Sequence, residues 1–164
     1  MSYRNKTYIA FDGDNDMRYY QIMCAWKEND HIDFNFYNAH DLSSARDSSQ
    51  EESIKRQLRE RMQNSKQFIL LVGEKTRYLT KFVKWEVEYA RKLDLPIIVS
   101  NLNGTRMYDS ARCPSWVVDN DTSTVHVSFG KDIIKYALDN FPDWYASNKH
   151  KGSELYYPAS VYKA

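Results

Sequence analysis

Short apolar or alternating runs recur along the chain at Thr7–Phe11, Ile32–Tyr37, Phe68–Gly73, Pro96–Asn101 and Thr124–Phe129. Each has the length of a β-strand and the bounding residues of one. Between them the apolar spacing stretches to a helical period. Tyr19, Ile22, Met23 and Trp26 fall at i, i+3, i+4 and i+7, and Ile54, Leu58 and Met62 recur at every fourth position. Ser49 and Glu52 stand at the spacing of a capping box that would open this second helix. A third helix is predicted from about Thr80 to Leu93. A fourth carries Ile133, Ile134, Ala137, Leu138 and Phe141, and Pro142 is expected to bend or end it.

Strand and helix therefore alternate throughout. That order predicts a flavodoxin-like, doubly wound α/β fold: a parallel sheet of five strands with helices on both faces. Phe68–Val72 is apolar at every position, as a central strand covered on both sides must be, whereas Ile32–Phe36 alternates and reads as nearer an edge. Ligands of such sheets bind beyond the carboxyl ends of the strands, which draws attention to Asp12–Asp16, Asn38–Asp47 and Glu74–Thr80. Asp41–Glu52 is polar, serine-rich and without a period, the composition of a loop. One domain is expected over residues 1–148, with 149–164 as a C-terminal tail packed on it or trailing from it.

Composition narrows the function classes. The 164 residues include 23 Lys and Arg against 22 Asp and Glu, a formal charge of +1, which speaks against an electrostatically driven nucleic-acid binder. No apolar run approaches the ~20 residues that span a bilayer. Cys24 and Cys113 are far apart and lack metal-ligand spacing, so a reducing, cytoplasmic setting is expected, with neither metal nor membrane. Thirteen tyrosines and four tryptophans fit either a filled core or contact surfaces.

The chemistry centres on the third helix. At about 100° per residue, Phe82, Val83, Glu86, Val87, Tyr89 and Ala90 share one arc with Trp85 at its edge, while Lys81, Lys84, Glu88, Arg91 and Lys92 lie opposite. Glu86 is the one charge inside the apolar arc. Burial disfavours an ionised carboxyl without a compensating partner, so a carboxylate kept there is a functional candidate, with a satisfied structural role as the equal alternative. Phe11-Asp-Gly-Asp-Asn-Asp16 forms an acidic turn after the first strand, in which Asp14 or Asp16 is expected to cap the next helix. A phosphoryl-accepting receiver domain would need an Asp after the third strand, where Gly73-Glu74 stands instead. The five glycines build no phosphate loop, the four histidines are dispersed, and no Gly-x-Ser-x-Gly elbow is present. His126 reads as a core residue and His40 as part of a ligand-facing loop.

Lys6-Thr-Tyr-Ile-Ala-Phe11, Phe68-Ile-Leu-Leu-Val-Gly73, Phe82-Val-Lys-Trp-Glu-Val-Glu-Tyr-Ala90 and Pro96-Ile-Ile-Val99, taken in order, resemble a bacterial TIR domain, and most of all the TIR-like proteins of the Thoeris anti-phage system. The likeness runs from about Lys6 to Ala146. It implies an NAD-cleaving enzyme whose catalytic glutamate is Glu86, with Phe82 as its aromatic partner where tryptophan is more usual. Phe11, Asp12 and Asn38 fall on further substrate-binding positions. Ala10-Phe11 replaces the Ser-Tyr or Ser-Phe of many TIR domains, and the Arg-Asp-x-x-Pro-Gly box of animal signalling adaptors is absent. The resemblance further implies that NAD is substrate rather than cofactor, and that a cyclic ADP-ribose-type product activates a partner effector. Activity would stay silent until infection, and a homo-oligomer would complete the site. The alternatives are a non-catalytic TIR interaction module and a nucleoside deoxyribosyltransferase-like N-glycoside transferase.

Overall fold

A computed structural model describes residues 7–29, 36–37, 51–118, 121–151 and 154–162. The strands are β1 (Thr7–Ala10), β2 (Phe36–Tyr37), β3 (Gln67–Val72), β4 (Ile97–Asn101), β5 (Thr124–Ser128) and β6 (Glu154–Tyr156). The helices are α1 (Met17–Asn29), α2 (Glu51–Gln63), α3 (Phe82–Lys92), α4 (Lys131–Asn148) and α5 (Ala159–Tyr162). The sheet order is β2-β1-β3-β4-β5-β6, and every pair is parallel. The five strands expected from the sequence thus keep the flavodoxin-like order 2-1-3-4-5. A sixth, from residues read as a tail without a period, extends the sheet beyond β5.

Every residue of β1, β3 and β4 is buried, which is the burial that an all-apolar central strand demands. Side chains alternate across the sheet and divide the core in two. Tyr8, Ala10, Phe68 and Leu70 join α2 and α3 on one face, while Ile9, Phe11, Ile69 and Leu71 join α1 and α4 on the other. In α2 the expected stripe of Ile54, Leu58 and Met62 is buried. Burying each such side chain contributes about 1.5–3 kcal/mol.

Three details depart from the sequence reading. In α1 the buried pair is Tyr20 and Met23, and Ile22 is exposed. Phe11 stacks on Tyr20 at 5.0 Å and sets the helix phase, leaving Tyr19 and Trp26 to pack on Phe129 at the flank. Pro142 neither ends nor interrupts the core face of α4, because Phe141 and Tyr145 on either side of it are both buried. That packing offsets the missing N–H of the proline. The loop expected at Asp41–Glu52 lies outside the described residues up to position 50, as do His40, Ser49 of the capping box and Ile32 to Asn35. Its last two residues already belong to α2.

The end of α3 is fixed by its neighbours. Asp94 takes a left-handed φ of 59°, and the amides of Asp94 and Leu95 return to the carbonyls of Arg91 and Ala90 in a Schellman arrangement. Glycine is the usual residue there; Asp94 is held instead by the Tyr145 hydroxyl at 2.8 Å and by Lys149, both on or next to α4. Burial acts to raise the Asp94 carboxyl, and these two bonds together with the charges of Lys149 and His150 outweigh it, leaving it below its ordinary value. No helix among the described residues is long and apolar enough to cross a membrane.

Candidate active site

α3 carries Glu86 into the space above β1. Phe82, Val83, Glu86, Val87 and Ala90 are its buried positions, so the arc read from the sequence is the face that meets the sheet. Trp85 and Tyr89, at the margin, stack on each other at 5.6 Å. Glu86 is only 6 % exposed and accepts a hydrogen bond on Oε2 from the phenol of Tyr8. Tyr8 is wholly buried in the middle of β1, with its ring stacked on Phe68 at 5.4 Å. Burial first, then the charge of Glu86 and the bond to it, push the Tyr8 phenol well above its ordinary value, against a smaller opposing pull from Arg61. Tyr8 thus stays a neutral donor and holds the carboxylate of Glu86 in place.

Of the other residues expected at the site, Phe82 lies one helical turn before Glu86, buried in the same layer. Phe11 belongs to the opposite layer, against Tyr20, so the two phenylalanines are separated by the sheet. Asp12 is buried, and its oxygens serve its own turn. Oδ1 accepts from the amides of Asp14 and Asn15 at 3.0 and 3.3 Å, and Oδ2 accepts from the Asn15 side chain at 2.7 Å. Asn38 lies outside the described residues.

One carboxyl at the same end of the sheet was read from the sequence only as a helix cap. Asp16 is 6 % exposed, its Oδ2 is buried without a hydrogen-bond partner, and burial with the neighbouring charge of Asp12 pushes it up to about 6. The signal available in the sequence was the acidic turn itself, but nothing in it distinguishes the satisfied Asp12 from the bare Asp16.

Other candidates recede. Burial pushes the Cys113 thiol up to about 12, which removes the thiolate a nucleophile needs. His126 is fully buried in β5, bonded through Nε2 to the Thr124 hydroxyl at 2.9 Å, and burial lowers it to about 4; it is the core histidine expected. Among the described residues no group of three or more His, Cys, Asp or Glu is placed to hold a metal. A hollow of about 400 Å³ lined by Tyr136, Asn140, Trp144, Leu155 and Tyr156 opens between α4 and β6, at the far edge of the sheet from Glu86.

A doubly wound sheet in this order makes the chain a flavodoxin-like α/β domain, with a buried acidic side chain on the helix that follows β3. Residues 8–107 match the family model described as Thoeris protein ThsB, TIR-like domain, and the chain belongs to that family of anti-phage defence proteins. The match runs from β1 past β4 and contains Tyr8, Asp16, Gly73, Phe82 and Glu86.

Proposed function

We propose that this protein cleaves the bond between nicotinamide and ribose in NAD and closes the remaining ADP-ribose into a cyclic signal that activates a partner effector. The observation that carries this reading is Glu86: a carboxyl in an apolar helix face, bonded by a buried tyrosine, within the stretch that matches the Thoeris TIR-like family and where the resemblance puts the catalytic glutamate. Breaking the glycosidic bond sends its electron pair to nicotinamide, which leaves as a neutral ring and needs no general acid. Positive charge develops on the ribose carbon as in glycoside hydrolysis, and a fixed anion beside it stabilises that state. A nucleophilic atom elsewhere in the same ADP-ribose then donates its electron pair to this carbon and gives up a proton.

In this reading Phe82, one turn from Glu86, offers its ring to a base and keeps the site dry, which favours cyclisation over attack by water. Asp12 shapes the turn at the mouth through its bonds to Asp14 and Asn15, Phe11 supports that turn from the opposite layer, and Asn38 contacts a sugar hydroxyl. The active form is a homo-oligomer in the cytoplasm, silent until infection is sensed.

The Tyr8–Glu86 bond also suits a second reading, a non-catalytic interaction module in which the pair is purely structural. Mass spectrometry of nucleotides from phage-infected cells expressing the native chain or Glu86→Gln separates the two. A cyclic ADP-ribose species with the native chain, reduced at least about 100-fold in a variant that still melts cooperatively, is the expected result. No new nucleotide from either chain, with a lower melting temperature and lost partner binding for the variant, would leave the module.

A further inference from the structure

Asp16 stands one residue before α1, at the carboxyl ends of the neighbouring strands β1 and β3. Its carboxyl rests on Gly73, the residue that follows β3. A Cβ at Gly73 would lie 2.2 Å from Oδ2 and 2.7 Å from Cγ, so the glycine is what makes room for the carboxyl. The place where a side chain at the end of β3 would sit is therefore filled by a carboxyl from another element. Leaving a buried acceptor unanswered costs about 1–3 kcal/mol, and the carboxyl end of a doubly wound sheet is where such a cost is kept for a ligand.

We infer that Asp16 is the hydroxyl acceptor for the ribose of a nucleotide bound across the carboxyl ends of β1 and β3. The neighbouring groups select this ligand class. Asp12 is committed to its turn, which leaves too few free oxygens for a metal ion, whereas one free carboxyl suffices for a hydroxyl donor. Arg18 and Arg112 both act on Asp16 through their charge and suit an adjoining phosphate. Arg18 lies along Tyr19, donating from Nη2 to its hydroxyl at 2.9 Å with the guanidinium 4.8 Å from the centre of that ring. The broad, two-fold χ2 of aspartate lets either oxygen turn from Gly73 toward the ligand. The identity of the nucleotide as NAD rests on the function proposed above; the ribosyl-phosphate class does not.

Titration calorimetry of the full chain with ADP-ribose tests the assignment without requiring turnover. Asp16→Asn is expected to raise Kd about tenfold at pH 7.5. The gap between native and Asp16→Asn should narrow as pH falls below about 6, because burial, with Asp12 and Glu74, favours the protonated carboxyl against Arg18 and Arg112, and only the ionised form is the stronger acceptor. A purely structural aspartate would not produce that profile. Should the Asn variant fail to fold, Asp16→Ser must show the same loss. An unchanged Kd in a folded variant, or no binding of millimolar ADP-ribose by the native chain, overturns the inference. Binding through Asp16 in a chain that forms no nucleotide product in infected cells would keep this site and remove the catalytic reading. Glu86-dependent product with an unchanged Kd in Asp16→Asn would do the reverse.

Discussion

Two acidic residues, Glu86 on α3 and Asp16 before α1, are equally buried at 6 % exposure and differ in everything else. Glu86 lies in the α2–α3 layer and is met by the Tyr8 phenol from the middle of β1. Asp16 sits at the end of the sheet over a bare glycine Cα, with Oδ2 unanswered and its carboxyl raised to about 6. Burial alone therefore says little about a carboxyl. The donor supplied by the neighbouring strand decides whether a buried carboxyl is answered or left bare.

The largest effect that would sharpen this contrast is on stability against pH. The folded value of Asp16, about 6, lies above its ordinary 3.8, so its contribution is fully present below about pH 4 and is lost as pH rises to about 6. Asp16→Asn should flatten that part of the curve and, above pH 6, be more stable than the native chain by an amount on the order of 2–3 kcal/mol. A variant whose melting follows the native profile from pH 4 to 8 would break the comparison. Next comes Gly73→Ala, whose methyl enters the space of the Asp16 carboxyl. It should cost about 2 kcal/mol, a fall of roughly 4–8 °C in Tm, and little in an Asp16→Ala background. Tyr8→Phe should destabilise by about 1–2 kcal/mol in denaturant unfolding by removing a buried donor from Glu86. The smallest effect is the coupling between the two sites: denaturant unfolding of Tyr8→Phe, Asp16→Asn and the double variant should be additive within about 0.5 kcal/mol.

Much of this was legible in residue order. The unbroken apolar run of β3 announced a central strand, and the wheel of α3 isolated Glu86 before any coordinates placed it. Alternation along β1 also carried the message that Phe11 and Tyr8 face opposite layers, although the resemblance drew Phe11 and Phe82 toward one ligand. Other features had no local signal. β6 is three residues long and exists because β5 offers it an edge. The apolar spacing of α1 put Ile22 in the buried stripe, and the stack of Phe11 on Tyr20 buries Tyr20 instead. Pro142 breaks an isolated helix by rule, yet buried side chains on both sides carry α4 through it.

The sequence by itself determined the alternation of elements, the parallel sheet and the buried faces of α2, α3 and α4. These follow from periodicity, which each segment carries within itself. Only the tertiary structure decided what each acid meets: Tyr8 is 78 residues from Glu86 in the chain, and Gly73 is brought beneath Asp16 by the pairing of β1 with β3. Proton affinity and partner geometry depend on distances of a few ångströms between segments that the chain order leaves unrelated, and those distances exist once the sheet has formed.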